Sequence, residues 1–466
     1  MWRLRFAELR DSWTAWLGVC LTFLAVNTAL ALAALVEYVG VTAVLSGRMD
    51  FWVSASYTFA PAFNLILCLI VGAVVIGGST GLVVDSRRGS LARLSLVGAT
   101  PGQVVSTIMS QLVAVSLACA VVGDILAYSL LRPTLLFLDD DPALQLTVPD
   151  ASYAVWPVLA ANLAAALIAL LGGYRQARRA GRISPVEALR LSAAVPDERM
   201  GVLRWIRFGL CAVFVVAAFA MIPMLVSMQP KEKFSNLLLT AMLLLIVAGA
   251  MLAVIAPVVV GPVTRAWTRL VPSGNPVWRL ACTTAAVKGA RLSKSVVPVM
   301  MTIGLLFGMV VMNGVMMGVV RSLGVPELSS AGFVTLASML GLPLVVALSG
   351  GVGSLIMMSK QREAELALAG VAGATPAQRF ALPVLEAVIV AVTGALLSLV
   401  MVGISLAFLA ISLPAAQFPL AIEPNYLTFA TAFGICLVVT IAATLGPSLG
   451  SLRKPEPAII ARLVAE

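Results

Sequence analysis

Ten predominantly apolar stretches run through this chain, at positions 14–36, 55–84, 104–131, 153–174, 208–228, 236–260, 295–320, 331–359, 380–411 and 426–445. A helix needs about 20 such residues to cross the hydrocarbon core of a bilayer, and inside that core every backbone polar group must be satisfied within the protein. The expected fold class is therefore all-α, a polytopic membrane protein with ten transmembrane helices. Only 11% of the 466 residues are charged, against about 25% in soluble domains. The leading segment, residues 1–13, lacks the short apolar core and small-residue cleavage site of a secretory signal. The first stretch is accordingly expected to stay in place as a span.

The basic residues sort by side. With the N-terminus in the cytoplasm, 26 of the 31 Lys and Arg fall in segments that alternation places inside, and five fall outside: Arg48, Arg132, Lys231, Lys233 and Arg321. That bias orients the chain with both termini cytoplasmic. A net charge of +10 then reflects membrane orientation, and no nucleic-acid partner is expected. The chain has no histidine, which excludes His-ligated metal sites and His general bases. Six cysteines are scattered without C-x-x-C spacing, and free buried thiols are the expected state.

One short motif occurs twice. Gly98-Ala99-Thr100-Pro101-Gly102-Gln103 recurs as Gly373-Ala374-Thr375-Pro376-Ala377-Gln378, 275 positions later. Trp2-Arg3-Leu4 likewise returns as Trp278-Arg279-Leu280, and a basic run meets proline near Pro185 and again near Pro455. The expected organisation is a first four-span repeat with an amphipathic leading helix over 1–190, a linker with two inserted spans over 191–274, and a second four-span repeat over 275–466. An even number of spans per repeat makes the two copies parallel across the membrane. The major outer connections hold about 10 to 21 residues, well below the roughly 40 that a domain without disulfides or metals needs. No folded extracytoplasmic domain is expected, and Asp139-Asp140-Asp141 reads as a solvated turn.

The motif has a local physical meaning. Threonine caps the free amides of a helix start, proline fits the first helical position, and glutamine three residues after the cap closes a capping box. The glycine just before it takes the left-handed conformation that ends a helix. Each copy should therefore form helix, elbow, helix at the cytoplasmic mouth of two spans. In the second copy, Arg362, Glu363 and Glu365 charge the helix before the elbow, and Leu366 and Leu368 give it apolar contact surface.

Two ionisable residues fall within the apolar stretches, where charge is costly. Glu386 lies about two turns past the second elbow and aligns with Gln111 of the first copy; a salt bridge or hydrogen bond to a neighbouring elbow is its expected role. Asp124 lies near the outer end of its span, as a candidate substrate or gating residue. Asn27, Asn64, Asn162 and Asn313 are expected to bond between helices, and Pro223, Pro257, Pro298, Pro343 and Pro383 mark candidate kinks. No G-x-x-x-x-G-K-[ST] phosphate loop is present.

With Glu365 eight residues before Gly373-Ala374-Thr375, and with the closing run Ser184-Pro185-Val186-Glu187-Ala188-Leu189-Arg190, the chain resembles the FtsX-like permease family, the membrane subunits of ABC transporters of the MacB, LolC and BceB kind. The resemblance implies a permease that is not itself an enzyme and holds no cofactor, with ATP and Mg bound by a separate ABC ATPase; two elbows per chain imply two ATPase copies per permease chain. It implies a bacterial cytoplasmic membrane location. It also implies ATPase-coupling segments, made here of Arg87, Arg88, Arg93, Gly98, Thr100, Pro101 and Gln103 in the first copy. Their counterparts in the second are Arg362, Glu363, Glu365, Gly373, Thr375, Pro376 and Gln378. Two features depart from the family: Ser90 stands where the second copy has Glu365, and the loops at 37–54 and 321–330 are too short for the large outer domains of MacB, LolC or BceB. The expected activity is movement or extraction of a hydrophobic or amphipathic substrate such as a peptide, lipid or antibiotic. Signalling without transport, to an outer hydrolase or a sensor kinase, and secondary transport remain as alternatives, and a second permease is a further candidate partner.

Overall fold

A computed structural model describes residues 13–45, 51–87, 98–139, 153–180, 201–227, 230–271, 274–287, 289–322, 332–418 and 426–452. Every regular element among them is an α-helix: α1 (Trp13–Leu45), α2 (Phe51–Ser86), α3 (Pro101–Asp139), α4 (Val155–Ala180), α5 (Val202–Ala220), α6 (Ile222–Val226), α7 (Pro230–Arg269), α8 (Pro276–Val287), α9 (Gly289–Ser322), α10 (Gly332–Met357), α11 (Ser359–Val371), α12 (Pro376–Ala415) and α13 (Tyr426–Leu452). Ten segments are long and apolar enough to cross a membrane. They correspond one for one to the ten stretches read from the sequence, and the chain is a multi-pass membrane protein.

Two groups of four spans pack by the same scheme. In the first, α1 touches α2, α3 and α4, while α4 also touches α2 and α3. In the second, α9 touches α10, α12 and α13, while α13 also touches α10 and α12. The groups meet where α10 lies against α1 and α2. Gly18 and Gly353 make that seam possible: a Cβ on Gly18 would come within 2.3 Å of the Gly353 carbonyl oxygen, and one on Gly353 within 2.5 Å of the Gly18 carbonyl oxygen. In lipid, where tails are as apolar as side chains, such close backbone approach is what holds helices together. Within the first group, Ser79 and Thr22 add a hydroxyl contact of 3.4 Å between α2 and α1.

The inserted pair attaches to the second group. Helix α7 packs on α9 and α12, and Ser405 of α12 donates to the carbonyl of Ala241. Helix α5 leans on α7 and otherwise presents Leu210, Val213 and Val216 outward. The expected kink at Pro223 takes the form of a break at Met221, between α5 and α6, since proline at the start of α6 has no amide to continue the ladder. Pro257, Pro298, Pro343 and Pro383 all lie inside continuous helices.

Helices run past the apolar stretches at several ends. Helix α1 continues to Leu45, so Glu37, which the sequence assigns to an outer connection, lies within a span. Its Oε2 is buried without a hydrogen-bond partner.

Candidate functional site

The two Gly-Ala-Thr-Pro segments fold as the capping chemistry requires. At the second, Thr375 Oγ1 accepts from the Gln378 amide at 3.3 Å and Gln378 Oε1 accepts from the Thr375 amide at 2.9 Å. At the first, Thr100 Oγ1 accepts from the Gln103 amide at 3.4 Å and Gln103 Oε1 from the Thr100 amide at 2.9 Å. Both are reciprocal capping boxes, with Pro101 and Pro376 opening α3 and α12. Gly98 and Gly373 have φ of +98° and +92°, and they are the only glycines with positive φ among the described residues. At the second elbow the amide of Ala374 donates to the Ala369 carbonyl at 2.9 Å and that of Gly373 to the Gly370 carbonyl at 3.0 Å. This paired closure satisfies the last carbonyls of α11.

Each elbow is clasped to the span that leaves it. Arg362, on α11, donates from Nε to Glu386 Oε2 of α12 at 3.1 Å. Arg87, at the end of α2, donates to Gln111 Oε1 of α3, and its guanidinium lies 5.7 Å from the centre of the Trp16 ring. In both copies arginine and acceptor are 24 positions apart, and both arginines are only 5% exposed. The hydrogen bond expected of Glu386 is therefore present, and Gln111 makes the matching one. Burial pushes the Arg362 pKa down, while the charge and hydrogen bond of Glu386, and then the charge of Glu365, push it up. Beside two carboxylates the guanidinium stays charged. Arg379 is also buried, on the first turn of α12, where the first copy has the buried Val104.

The remaining expected residues divide by exposure. Gly98, Thr100, Pro101, Gly102 and Gln103 are exposed, as are Gly373, Thr375, Pro376 and Ala377. Glu363, Glu365 and Gln378 are half-buried. Leu366 turns inward, contrary to the contact surface expected of it, while Leu368 and Val371 are 63% and 65% exposed. One turn apart, they form a single apolar face of α11, near which Phe380 is also exposed. Arg88, Ser90 and Arg93 lie outside the described residues, as do the leading segment 1–12 and both closing segments near Pro185 and Pro455.

Asp124 accepts a hydrogen bond of 2.9 Å from Asn162 Nδ2, joining α3 to α4. That contact answers the bridging role expected of Asn162, while Asn27 bonds within its own helix, to the Phe23 carbonyl. Besides Glu37, two charged groups escaped sequence reading: the buried Arg379, counted only as a basic flank, and Lys294, whose Nζ reaches the α2–α4 boundary near Gly81 and Gln176. A basic residue at a span boundary has the same pattern in sequence whether it faces inward or out. No metal-binding cluster of His, Cys, Asp or Glu occurs among the described residues.

Twin capped elbows, each clasped to its own outgoing span, characterise this multi-pass membrane protein. The profile of the FtsX-like permease C-terminal family matches residues 62–185 and again 337–455, together more than half of the chain. The protein belongs to the FtsX-like permease family. Members are membrane subunits of ABC transporters, and they work with an ABC ATPase partner. No curated protein matches the chain significantly.

Proposed function

We propose that this chain is the permease of an ABC exporter in which two ATPase subunits, one at each elbow, drive an amphipathic or hydrophobic substrate out of the membrane. The observation that carries this reading is the clasp. An exposed, capped elbow bonded to its own outgoing span moves with that span as one body, so displacement at Leu368 or Pro376 is passed to α12, and displacement at Pro101 to α3.

The residues take different parts in this reading. The exposed elbow residues, with Leu368 and Val371, meet the ATPase. Arg362 and Arg87 face inward and act as positioning residues that fix the elbow to Glu386 and Gln111. Glu365 supports Arg362 from one turn along α11. The elbows lie on the cytoplasmic side, which the distribution of Lys and Arg supports, and the repeats span 1–190 and 275–466 about an insert at 191–274. ATP and Mg belong to the ATPase partner.

Apolar spans with few charged groups favour a substrate that partitions into lipid. Co-expression with the ATPase it works with tests the coupling assignment. Glu365→Lys should reduce co-purification and ATPase stimulation, and unchanged values for both would refute the assignment. Accumulation of an amphipathic substrate in inverted vesicles, with and without ATP, separates export from signalling.

A further inference from the structure

Where α7 ends and α8 begins, an open cavity of about 980 Å³ is lined by Arg265, Thr268, Arg269, Trp278, Arg279 and Thr283, among others, with no carboxylate among the described residues of its wall. Arg265, Arg269 and Arg279 are exposed. The two threonines spend their hydroxyl protons on their own helices: Thr268 donates to the Thr264 carbonyl at 2.7 Å and Thr283 to the Arg279 carbonyl at 2.8 Å. The cavity therefore offers guanidinium donors, five N–H groups on each arginine. Its natural ligand carries acceptors and negative charge, which is the chemistry of a phosphate group.

The surroundings decide which phosphate. Arg269 is the last residue of its span, so the cavity opens at the membrane boundary. Trp267 and Trp278 stand edge to face there, with ring centres 6.1 Å apart, in the position that amphipathic rings occupy at headgroup level. Val271, Val287 and Ala286 form part of the wall, and Leu270 and Leu280 are exposed beside it. Basic groups in the wall together with exposed aliphatic groups in and beside it match an amphiphile.

We propose that this cavity binds the anionic phosphodiester headgroup of a membrane phospholipid, with Arg265, Arg269 and Arg279 as its donors. Basic pockets between helices at the cytoplasmic face are where such headgroups bind; the choice of leaflet rests on the orientation proposed above. An occupied cavity bears on the second coupling span. Helix α8 packs on α12, and the Trp267 indole donates to Thr393 Oγ1 of α12 at 3.1 Å. The lipid thus braces α12 at Thr393, well along the helix from the second elbow.

The permease, reconstituted in vesicles with equal phosphatidylglycerol and phosphatidylcholine and re-extracted in mild detergent, should retain the anionic lipid over the zwitterionic one by about tenfold, as counted by mass spectrometry. Arg269→Gln with Arg279→Gln should bring the ratio close to parity. Arg178→Gln with Arg207→Gln removes the same charge from exposed arginines elsewhere and should leave the ratio unchanged. Parity in the wild-type protein, or equal loss in both double variants, would overturn the proposal. So would displacement of the anionic lipid by millimolar inorganic phosphate, which would assign the cavity to the free anion. The wild-type comparison stands even if a variant fails to fold. Because both leaflets of the vesicle have the same composition, the result is independent of orientation, which cysteine labelling at the elbows tests separately.

Discussion

The two elbows share a backbone and differ in charge. Both have a left-handed glycine, a reciprocal Thr–Gln capping box and a buried arginine reaching 24 positions ahead. The second arginine meets a carboxylate, Glu386, with Glu365 nearby; the first meets the amide of Gln111 and the face of Trp16. The second elbow also buries Arg379 where the first has Val104. Geometry is thus set by residues common to both copies, and electrostatics by residues that differ. A duplicated unit keeps what shapes the joint and varies what holds it closed.

Breaking the clasps should expose that difference. Glu386→Ala leaves Arg362 buried without its carboxylate and should destabilise the protein by about 3–5 kcal/mol, read as a fall in melting temperature in detergent. Gln111→Ala, which removes one hydrogen bond to a charged group, should lower stability by about 1.5–3 kcal/mol. Equal effects would mean that the charge of Glu386 adds nothing. Exchange is a finer probe: Glu386→Gln gives the second clasp the first one's chemistry, and its loss should fall below that of Glu386→Ala, with ATPase stimulation partly kept.

The shared backbone should respond alike in both copies. Nothing lies within 4 Å of a Cβ built on Gly98 or Gly373, so alanine there meets only the left-handed backbone penalty of about 1–2 kcal/mol. Thr100→Ala and Thr375→Ala should each lower stability by about 1 kcal/mol through loss of the cap. Unequal values between copies would show that the elbows differ in shape as well as in charge.

Much of this was legible in the sequence because the determinants are local. Apolar run length gives the spans, and Thr-Pro-x-Gln after glycine gives both elbows, down to the sign of φ. The pairing of Glu386 with an elbow followed from aligning it with Gln111. What was hidden depends on rotation about a helix axis: Leu366 in and Leu368 out, Arg379 buried rather than flanking, Lys294 reaching toward α2 and α4. Side chains two positions apart can face opposite environments, and in a short, nearly all-apolar or mixed segment the residue types carry no period that fixes the phase. Glu37 was missed because α1 continues beyond the apolar stretch that announces it.

The central claim, that each elbow seats one ATPase, is tested most directly by the mass of the intact complex with the co-expressed ATPase, measured by native mass spectrometry. The account predicts two ATPase subunits per permease chain, and one when Leu368→Asp and Val371→Asp put charge on the exposed face of the second elbow. A single subunit in the wild-type complex, or two retained in the variant, would contradict it.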